Sequence, residues 1–450
     1  MYYLWCCLLL NRQHLSFFFK DKEEPMENHS VFVIGGQRTP FVKSFTDFKD
    51  DSTQDLMTHA LKALTEKFNL KDKLVGDVAL GAVINSSLKW GLARESVLGS
   101  GLSPYTPACF IQRACGTGLE ATLFIANKIT LNQIEWGIAG GVDTNSDMPF
   151  VFSLNLKNAL LKLKTAKSFT EKMKIFLQLR MRDLKPVYPE VKEPRTGLSM
   201  GEHCEKMVKE WKISREDQDA FALLSHQNAV KAYAEGFYDD LIVPVRHITK
   251  DGIVRADTSL EKLAKLKTAF DFSSLGTLTA GNSSPLTDGA SAVLLANENR
   301  IQQASLKPLA RFVDAEVAAI DFVGGDGLLM APTIAVSRLL ERQKLTLQDF
   351  DYYEIHEAFA GQVLCTLKAW ESDAYAKKFL HRDKAWGPID RSKLNVKGSS
   401  IALGHPFAAT GGRIVASLAK LLNQAGSRKR GLISICTAGG MGVAAILESL

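Results

Sequence analysis

Two distant stretches of this chain repeat one another. Residues 110–129, FIQRACGTGLEATLFIANKI, are followed by IEWGIAGGVDT. Residues 397–422, KGSSIALGHPFAATGGRIVASLAKLL, are followed by RKRGLISICTAGGMG. Each pair reads as an apolar strand, a reactive residue at a bend, a helix opening on small residues, and a strand ending in Ala-Gly-Gly. An internal duplication of that size implies two similar halves. Strands and helices alternate elsewhere too. VFVIGGQRTPF is a β-branched strand closed by a glycine turn, residues 52–68 are an amphipathic helix, and VGDVALGAVI is a further strand. This alternation predicts an α/β chain with a largely parallel sheet and helices on its faces.

At 450 residues the chain is too long for one small core. The pattern divides it into a leader (1–30), a first half (31–297) and a second half (306–450). The first half is interrupted at about 150–270 by a mainly helical insertion, whose helix SREDQDAFALLSHQNAVKAYAEGF opens at the N-cap Ser214. Within the insertion, residues 153–185 carry nine Lys/Arg against Glu171 and Asp183, with Leu154, Leu156, Leu160, Leu163, Ile175, Phe176 and Leu179 interleaved. Two readings fit this basic amphipathic segment: a docking surface for an anionic bilayer or a partner subunit, or a helical lid packed on its own domain. The leader opens with an apolar run of ten residues, short of the roughly 20 that span a bilayer. It lacks the flanking charge of a secretory signal. A non-native leader and a targeting or anchoring one are both open.

The net charge of +6 suits anionic small ligands and excludes a nucleic-acid footprint, since no Lys/Arg-rich run or binding motif accompanies it. Seven cysteines, with no CxxC pair and no Cys/His cluster at zinc spacing, predict free thiols in a reducing compartment and no metal. The expected location is cytoplasmic, with mitochondrial as the alternative.

Cys115 lies at the bend before a helix on which Leu119, Leu123 and Ala126 share a face. Unpaired N–H groups and the helix dipole there can lower a thiol pKa and create a nucleophile. The alternative is a small core residue. The repeat puts His405 where the first half has Cys115. If the halves pack about a pseudo-twofold axis, the two meet as an activated Cys–His pair; read alone, His405 is a turn residue. Cys436 is either a core residue or a second thiol that carries protons. His356 and Glu357 either cap the helix that follows them or serve the site, with His356 polarising a carbonyl.

RTPF, CGTG, GNSSPLTDGA, HEAFAGQ, ALGHPFAATGGR and CTAGGMG, in this order, resemble the signatures of thiolases. The resemblance covers residues 31–450. MRDLKPVYPEVKEPRTGLSMGEHCEKM and the His of HEAF are most similar to the β subunit of the fatty-acid oxidation (trifunctional) complex. It implies a duplicated fold of five α-β-α-β-α layers with a loop domain in the first half. It also implies thiolysis of 3-ketoacyl-CoA by CoA, with CoA as co-substrate and no permanently bound cofactor. Cys115 would be the acylated nucleophile, His405 its base, and Cys436 the acid/base for the acetyl carbanion and the incoming thiol. His356 would stand at an oxyanion-hole water, with Glu357 supporting the loop. The N–H groups of Cys115 and Ala438 would form a second oxyanion hole, although the family more often has Gly at the latter position. Ser284 would line the pantetheine channel. Met200-Gly201 matches a substrate-loop motif, but Ser199 replaces the histidine common before it. Implied partners are acyl-CoA, a second copy in a homodimer or larger assembly, and an α subunit with hydratase and dehydrogenase activity. The alternatives are a biosynthetic acetoacetyl-CoA thiolase and a non-catalytic acyl-CoA-binding or docking subunit.

Overall fold

The computed structural model describes residues 29–86, 89–187 and 191–450. The leader expectation falls on residues 1–28, outside those described. The strands are β1 (Val31–Arg38), β2 (Val42–Lys43), β3 (Asp77–Gly81), β4 (Ala108–Phe110) and β5 (Trp136–Asp143), then β6 (Thr287–Ala296), β7 (Ala310–Ala319), β8 (Tyr352–Ile355), β9 (Arg430–Thr437) and β10 (Met441–Glu448). They form one sheet in the order β4-β3-β5-β6-β1-β7-β10-β9-β8, with β2 added to β6.

The duplication is visible in this order. From β1 outward, β6 is antiparallel, β5 antiparallel to it, and β3 parallel to β5. From β7 outward, β10, β9 and β8 repeat the same relations. The halves meet where Val31–Val33 pair antiparallel with Ala310–Phe312, a local twofold seam.

The side chains divide into the five expected layers. Helices Thr53–Lys67 and Leu92–Gly99 cover the first half-sheet, with Leu56, Leu61 and Leu64 packed on Val78, Leu80 and Ile138. Helices Thr117–Thr130 and Ala409–Ala425 lie between the half-sheets, where Leu119, Ile125, Ile414 and Leu418 meet Val33 and Val293 from one side and Ile433 and Val443 from the other. Helices Ala331–Gln343 and Ala360–Trp370 close the far side with Leu339, Leu367 and Trp370 on Leu432 and Ile446. Each fully buried aliphatic or aromatic side chain contributes about 1.5–3 kcal/mol to this packing. The two central helices nearly touch: a Cβ on Gly118 would lie 2.6 Å from the Ala408 carbonyl oxygen, and one on Gly411 2.2 Å from the Leu119 nitrogen.

Two details of the sequence repeat do not survive. SSIAL, read as a strand, is a short helix, Ser400–Leu403. The first Ala-Gly-Gly lies inside β5, where Gly141 lets the strand approach Ala408, whereas Ala438-Gly439-Gly440 is the β9–β10 turn, with Gly439 and Gly440 at φ 78° and 67°. The motifs repeat by composition and serve different backbones.

Between β5 and β6 the chain forms helices Leu154–Thr165, Phe169–Leu177, Met200–Glu210 and Arg215–Ala234. Ser214 caps the last, its Oγ accepting from the Asp217 N–H at 3.0 Å. Arg38, of the RTPF stretch, ties this region to β1 through a buried bidentate pair with Asp251 at 2.6 and 2.7 Å. The basic segment is helical; Leu154, Leu161, Phe169, Phe176, Leu177 and Met181 are exposed by more than half, while Leu156, Leu163, Ile175 and Leu179 are half-buried. Among the described residues, no helix is long and apolar enough to cross a membrane.

Candidate active site

Cys115 sits on a constrained turn. Ala114 before it is left-handed (φ 42°), a conformation that costs a non-glycine residue on the order of 1 kcal/mol or more. Thr117 Oγ1 holds the turn, donating to the Ala114 carbonyl at 2.7 Å and accepting from the Arg113 N–H at 2.8 Å. Gly116 brings the turn against the end of β9, since a Cβ there would lie 2.9 Å from Thr437 Cγ2 and Val443 Cγ2. Cys115 and Cys436 consequently face one another closely enough that their charges would interact.

Cys115, Cys436, His405, Ala438, Ser284 and Met200 line one cavity of about 310 Å³. Its remaining wall is apolar and includes Leu329, Phe359 and Phe407. The His405 ring is held by Nδ1 against Thr410 Oγ1 (2.7 Å), and its backbone N–H donates to Thr287 Oγ1 (2.7 Å). His356 lies behind it, ring centroids 4.1 Å apart, with Nδ1 2.9 Å from Ser400 Oγ. Ser400 Oγ also accepts from Arg413 Nη2 at 3.0 Å, so its own proton is free for His356 Nδ1. With Ser400 donating to Nδ1, a neutral His356 would carry its proton on Nε2. Both Nε2 atoms are buried without a protein partner.

Glu357 is not the helix cap that was one reading of it. The helix after it begins at the Phe359 N-cap without a side-chain cap. Glu357 turns instead to Ser225 Oγ (2.7 Å), Asn395 Nδ2 (2.7 Å) and the Ile401 N–H (3.2 Å), so it anchors the short helix that leads to His405. Ser199 caps its own helix, with Oγ accepting from the Glu202 N–H and donating to Glu202 Oε2. Its hydroxyl is engaged there.

The electrostatics correct one expectation. The Cys115 thiol is not lowered by its helix start. Burial pushes it up to about 12, and the nearby Ala438 backbone only partly opposes this. Burial raises Cys436 as well, with Cys115 adding to the effect. The imidazoles move the other way: burial, with the Arg413 cation adding, holds His405 at about 3, and burial with His405 and Arg413 lowers His356 far below its usual value. The resting site is neutral: two thiols and two uncharged imidazoles.

Sequence reasoning missed several residues. Asp143, at the end of β5, accepts from the Val83, Ile84 and Ala408 N–H groups at 2.9, 2.7 and 2.7 Å, joining a first-half loop to the helix start beyond His405. Burial, against those three donors, raises it to about 7. An acid in an otherwise apolar strand was its available signal. Glu193, from the insertion, accepts from the Gly439 N–H at 2.6 Å and steadies the Ala438 turn; nothing in its loop sequence marks it.

The architecture has well-matched counterparts. A Bacillus anthracis acetyl-CoA acetyltransferase superposes with a TM-score of 0.78 at 31% identity, over 94% of this chain and 100% of the other. Human mitochondrial 3-ketoacyl-CoA thiolase superposes at 0.77 and 29% identity, over 94% and 99%. The duplicated halves are those of the thiolase fold. Residues 31–299 match the thiolase N-terminal domain model and residues 306–449 the C-terminal one. A 3-ketoacyl-CoA thiolase of Yersinia pestis is 40% identical over 93% of this chain and 96% of its own length, and one of Alteromonas mediterranea is 40% identical over 94% and 98%. The chain belongs to the thiolase family.

Proposed function

We propose that this chain is a 3-ketoacyl-CoA thiolase, an acyltransferase of fatty-acid β-oxidation that uses CoA as co-substrate. The observation that carries the reading is the convergence of Cys115, His405 and Cys436 on one apolar cavity, with Ala438 also in its wall. His405 Nε2 accepts the Cys115 proton as the sulfur attacks the 3-keto carbon. His356 Nε2–H serves the oxygen that becomes negative through a water, and one oxyanion donor is typically worth about 3–4 kcal/mol. Collapse of the adduct breaks the carbon–carbon bond and expels the acetyl-CoA enolate, which Cys436 protonates. Cys436 then takes the proton of incoming CoA, whose sulfur attacks the Cys115 thioester. The N–H groups of Cys115 and Ala438 hold that second oxyanion, and departure of the Cys115 sulfur, which takes its proton back from His405, returns the enzyme.

The division of the chain into halves joined near residues 297–306, with an insertion at about 150–270, is part of the proposal and agrees with the two family-model matches. So is assembly as a homodimer or larger, for which the edge strand β4 offers an outer edge unpaired among the described residues. The test of the activity is to mix the protein with a 3-ketoacyl-CoA in the absence of free CoA, digest it and weigh the peptides. An acyl adduct on Cys115 is expected. An adduct elsewhere, or none, refutes the reading.

The segment 153–185 is proposed as a docking surface for an anionic lipid bilayer. The segment exposes Leu, Phe and Met side chains, and a separate cavity of about 360 Å³ within it is lined by Lys162, Arg180, Arg182 and Asp183 among others. Paired apolar and cationic features of this kind suit an interface of acyl chains and phosphate headgroups. An α subunit is the other occupant, and a cytoplasmic or mitochondrial location is compatible with either.

A further inference from the structure

Arg413 is a buried cation to which the chemistry above gives no task. It stands on the central helix Ala409–Ala425, 1% exposed, with the buried carboxyl groups of Glu354 and Glu357 and the side chains of Tyr238 and Arg38 within electrostatic range. Its Nη2 reaches the start of the short helix that leads to His405, 3.3 Å from Ser399 Oγ and 3.0 Å from Ser400 Oγ. Ser400 Oγ, itself buried, lies 2.9 Å from His356 Nδ1. A guanidinium has donors and no acceptor, so the contact between Arg413 and Ser400 runs one way. Among the described residues the Ser400 hydroxyl has these partners only, and leaving a buried donor unmade is costly. Its hydrogen therefore goes to the partner that can accept it, His356 Nδ1. The chain ends at His356 Nε2, which is buried without a protein partner beside the His405 ring, centroids 4.1 Å apart. A tautomer exists only in a neutral ring, and the Arg413 charge adds to the burial that keeps both imidazoles neutral.

We infer that Arg413 and Ser400 are positioning residues for the reaction: Arg413 sets the direction of a donor chain through Ser400 to His356, so that His356 presents an N–H and not a lone pair to the reacting oxygen. The inference rests on the thiolase reading, in which His356 serves that oxygen through a water. Without the chain the ring is free to carry its proton on Nδ1, and Nε2 then offers a lone pair where negative charge develops. Ser400→Ala separates this role from a structural one. It removes the middle of the chain and leaves Arg413 on Ser399 and Glu357 on the Ile401 N–H.

The experiment reads tautomer and turnover in the wild type, Ser400→Ala and Ser400→Thr. Two-bond proton–nitrogen NMR spectra of protein with labelled histidine show which ring nitrogen carries the proton, and the His356 signal is assigned by its loss in His356→Asn. The wild type should show His356 protonated on Nε2. Ser400→Ala should move that signal toward the Nδ1–H form and lower kcat and kcat/KM together by at least about tenfold, with KM unchanged. Ser400→Thr keeps the hydroxyl and should keep the wild-type signal and most of kcat. Arg413→Met should move the His356 signal as Ser400→Ala does, and the Ser400 pair serves if that variant does not fold. An unchanged kcat in Ser400→Ala, a loss of kcat with the wild-type His356 signal, or a threonine variant no better than the alanine one overturns the inference. The spectrum needs no substrate, so a wild type with the Nε2–H signal that is inert toward every 3-ketoacyl-CoA overturns the thiolase reading and not the donor chain.

Discussion

The neutral resting site makes a quantitative prediction about the reactivity of Cys115. The perturbation is pH alone, and the probe is a small uncharged alkylating reagent such as iodoacetamide. Only the thiolate reacts. An ordinary cysteine with a pKa of about 8.5 is about one-quarter thiolate at pH 8. With the thiol held near 12 by burial, about one part in 10⁴ is ionised at that pH, a deficit of about three decades. The sign follows from the direction of the shift: the folded value lies above the free one, so ionisation is postponed to alkaline pH. Alkylation of the Cys115 peptide, followed by mass spectrometry in the absence of substrate, should rise about tenfold per pH unit from 6 to 10 with no plateau. Slow access of reagent would lower every rate equally and leave that slope intact, so the slope decides. An inflection between pH 5 and 9 would refute the reasoning, because it would mean that the helix start or His405 holds a thiolate at rest.

Two further outcomes follow from particular contacts. Glu357→Gln should cost about 1–3 kcal/mol of stability, because an amide N–H₂ must then face one of the donors from Ser225, Asn395 or Ile401; thermal unfolding and kcat should fall together, and an unchanged melting temperature removes Glu357 as the anchor of the His405 loop. Charge reversal of Lys162, Lys164, Lys172 and Lys174 should abolish co-sedimentation with anionic liposomes while leaving thiolysis of a short substrate intact; full retention of lipid binding, or selective loss of an α-subunit pull-down, overturns the lipid assignment.

Much of the fold was legible because it is written twice. Strand–bend–helix–strand units at residues 110–143 and 397–440 were enough to expect two halves, and the seam between β1 and β7 is where such halves can join. Residue-level register within the repeat was not legible. Cys115 lies two residues before its helix at Thr117, and His405 lies four before its helix at Ala409, so the reactive residues are not strict equivalents. Both nevertheless line one cavity, because Gly118 and Gly411 let the two helices cross almost in contact. The positions the sequence flagged carry unusual residue types at bends or strand ends: Cys115, His405, Cys436, His356. Those it did not flag act by holding others. Asp143, Glu193 and Ser400 are ordinary polar residues whose partners lie far away in the chain, and no local pattern encodes such a partner.

The thiol pKa was misjudged for a related reason. A helix start is a local feature that sequence can propose, but burial is a property of the whole fold, and here burial dominates. That result changes how the first step has to run. Moving a proton from a thiol near 12 to an imidazole near 3 would cost on the order of 10 kcal/mol for the separate groups. Attraction between the resulting thiolate and imidazolium, about 4 kcal/mol at 4 Å and an effective dielectric of 20, offsets only part. The remainder is too large for a standing ion pair. In the proposed mechanism the sulfur loses its proton as it bonds to the keto carbon, so that charge passes to oxygen within reach of prearranged donors. Cys115 as an unassisted thiol is poorly nucleophilic, which protects it between turnovers; a bound 3-ketoacyl group supplies the electrophile that makes the proton transfer favourable.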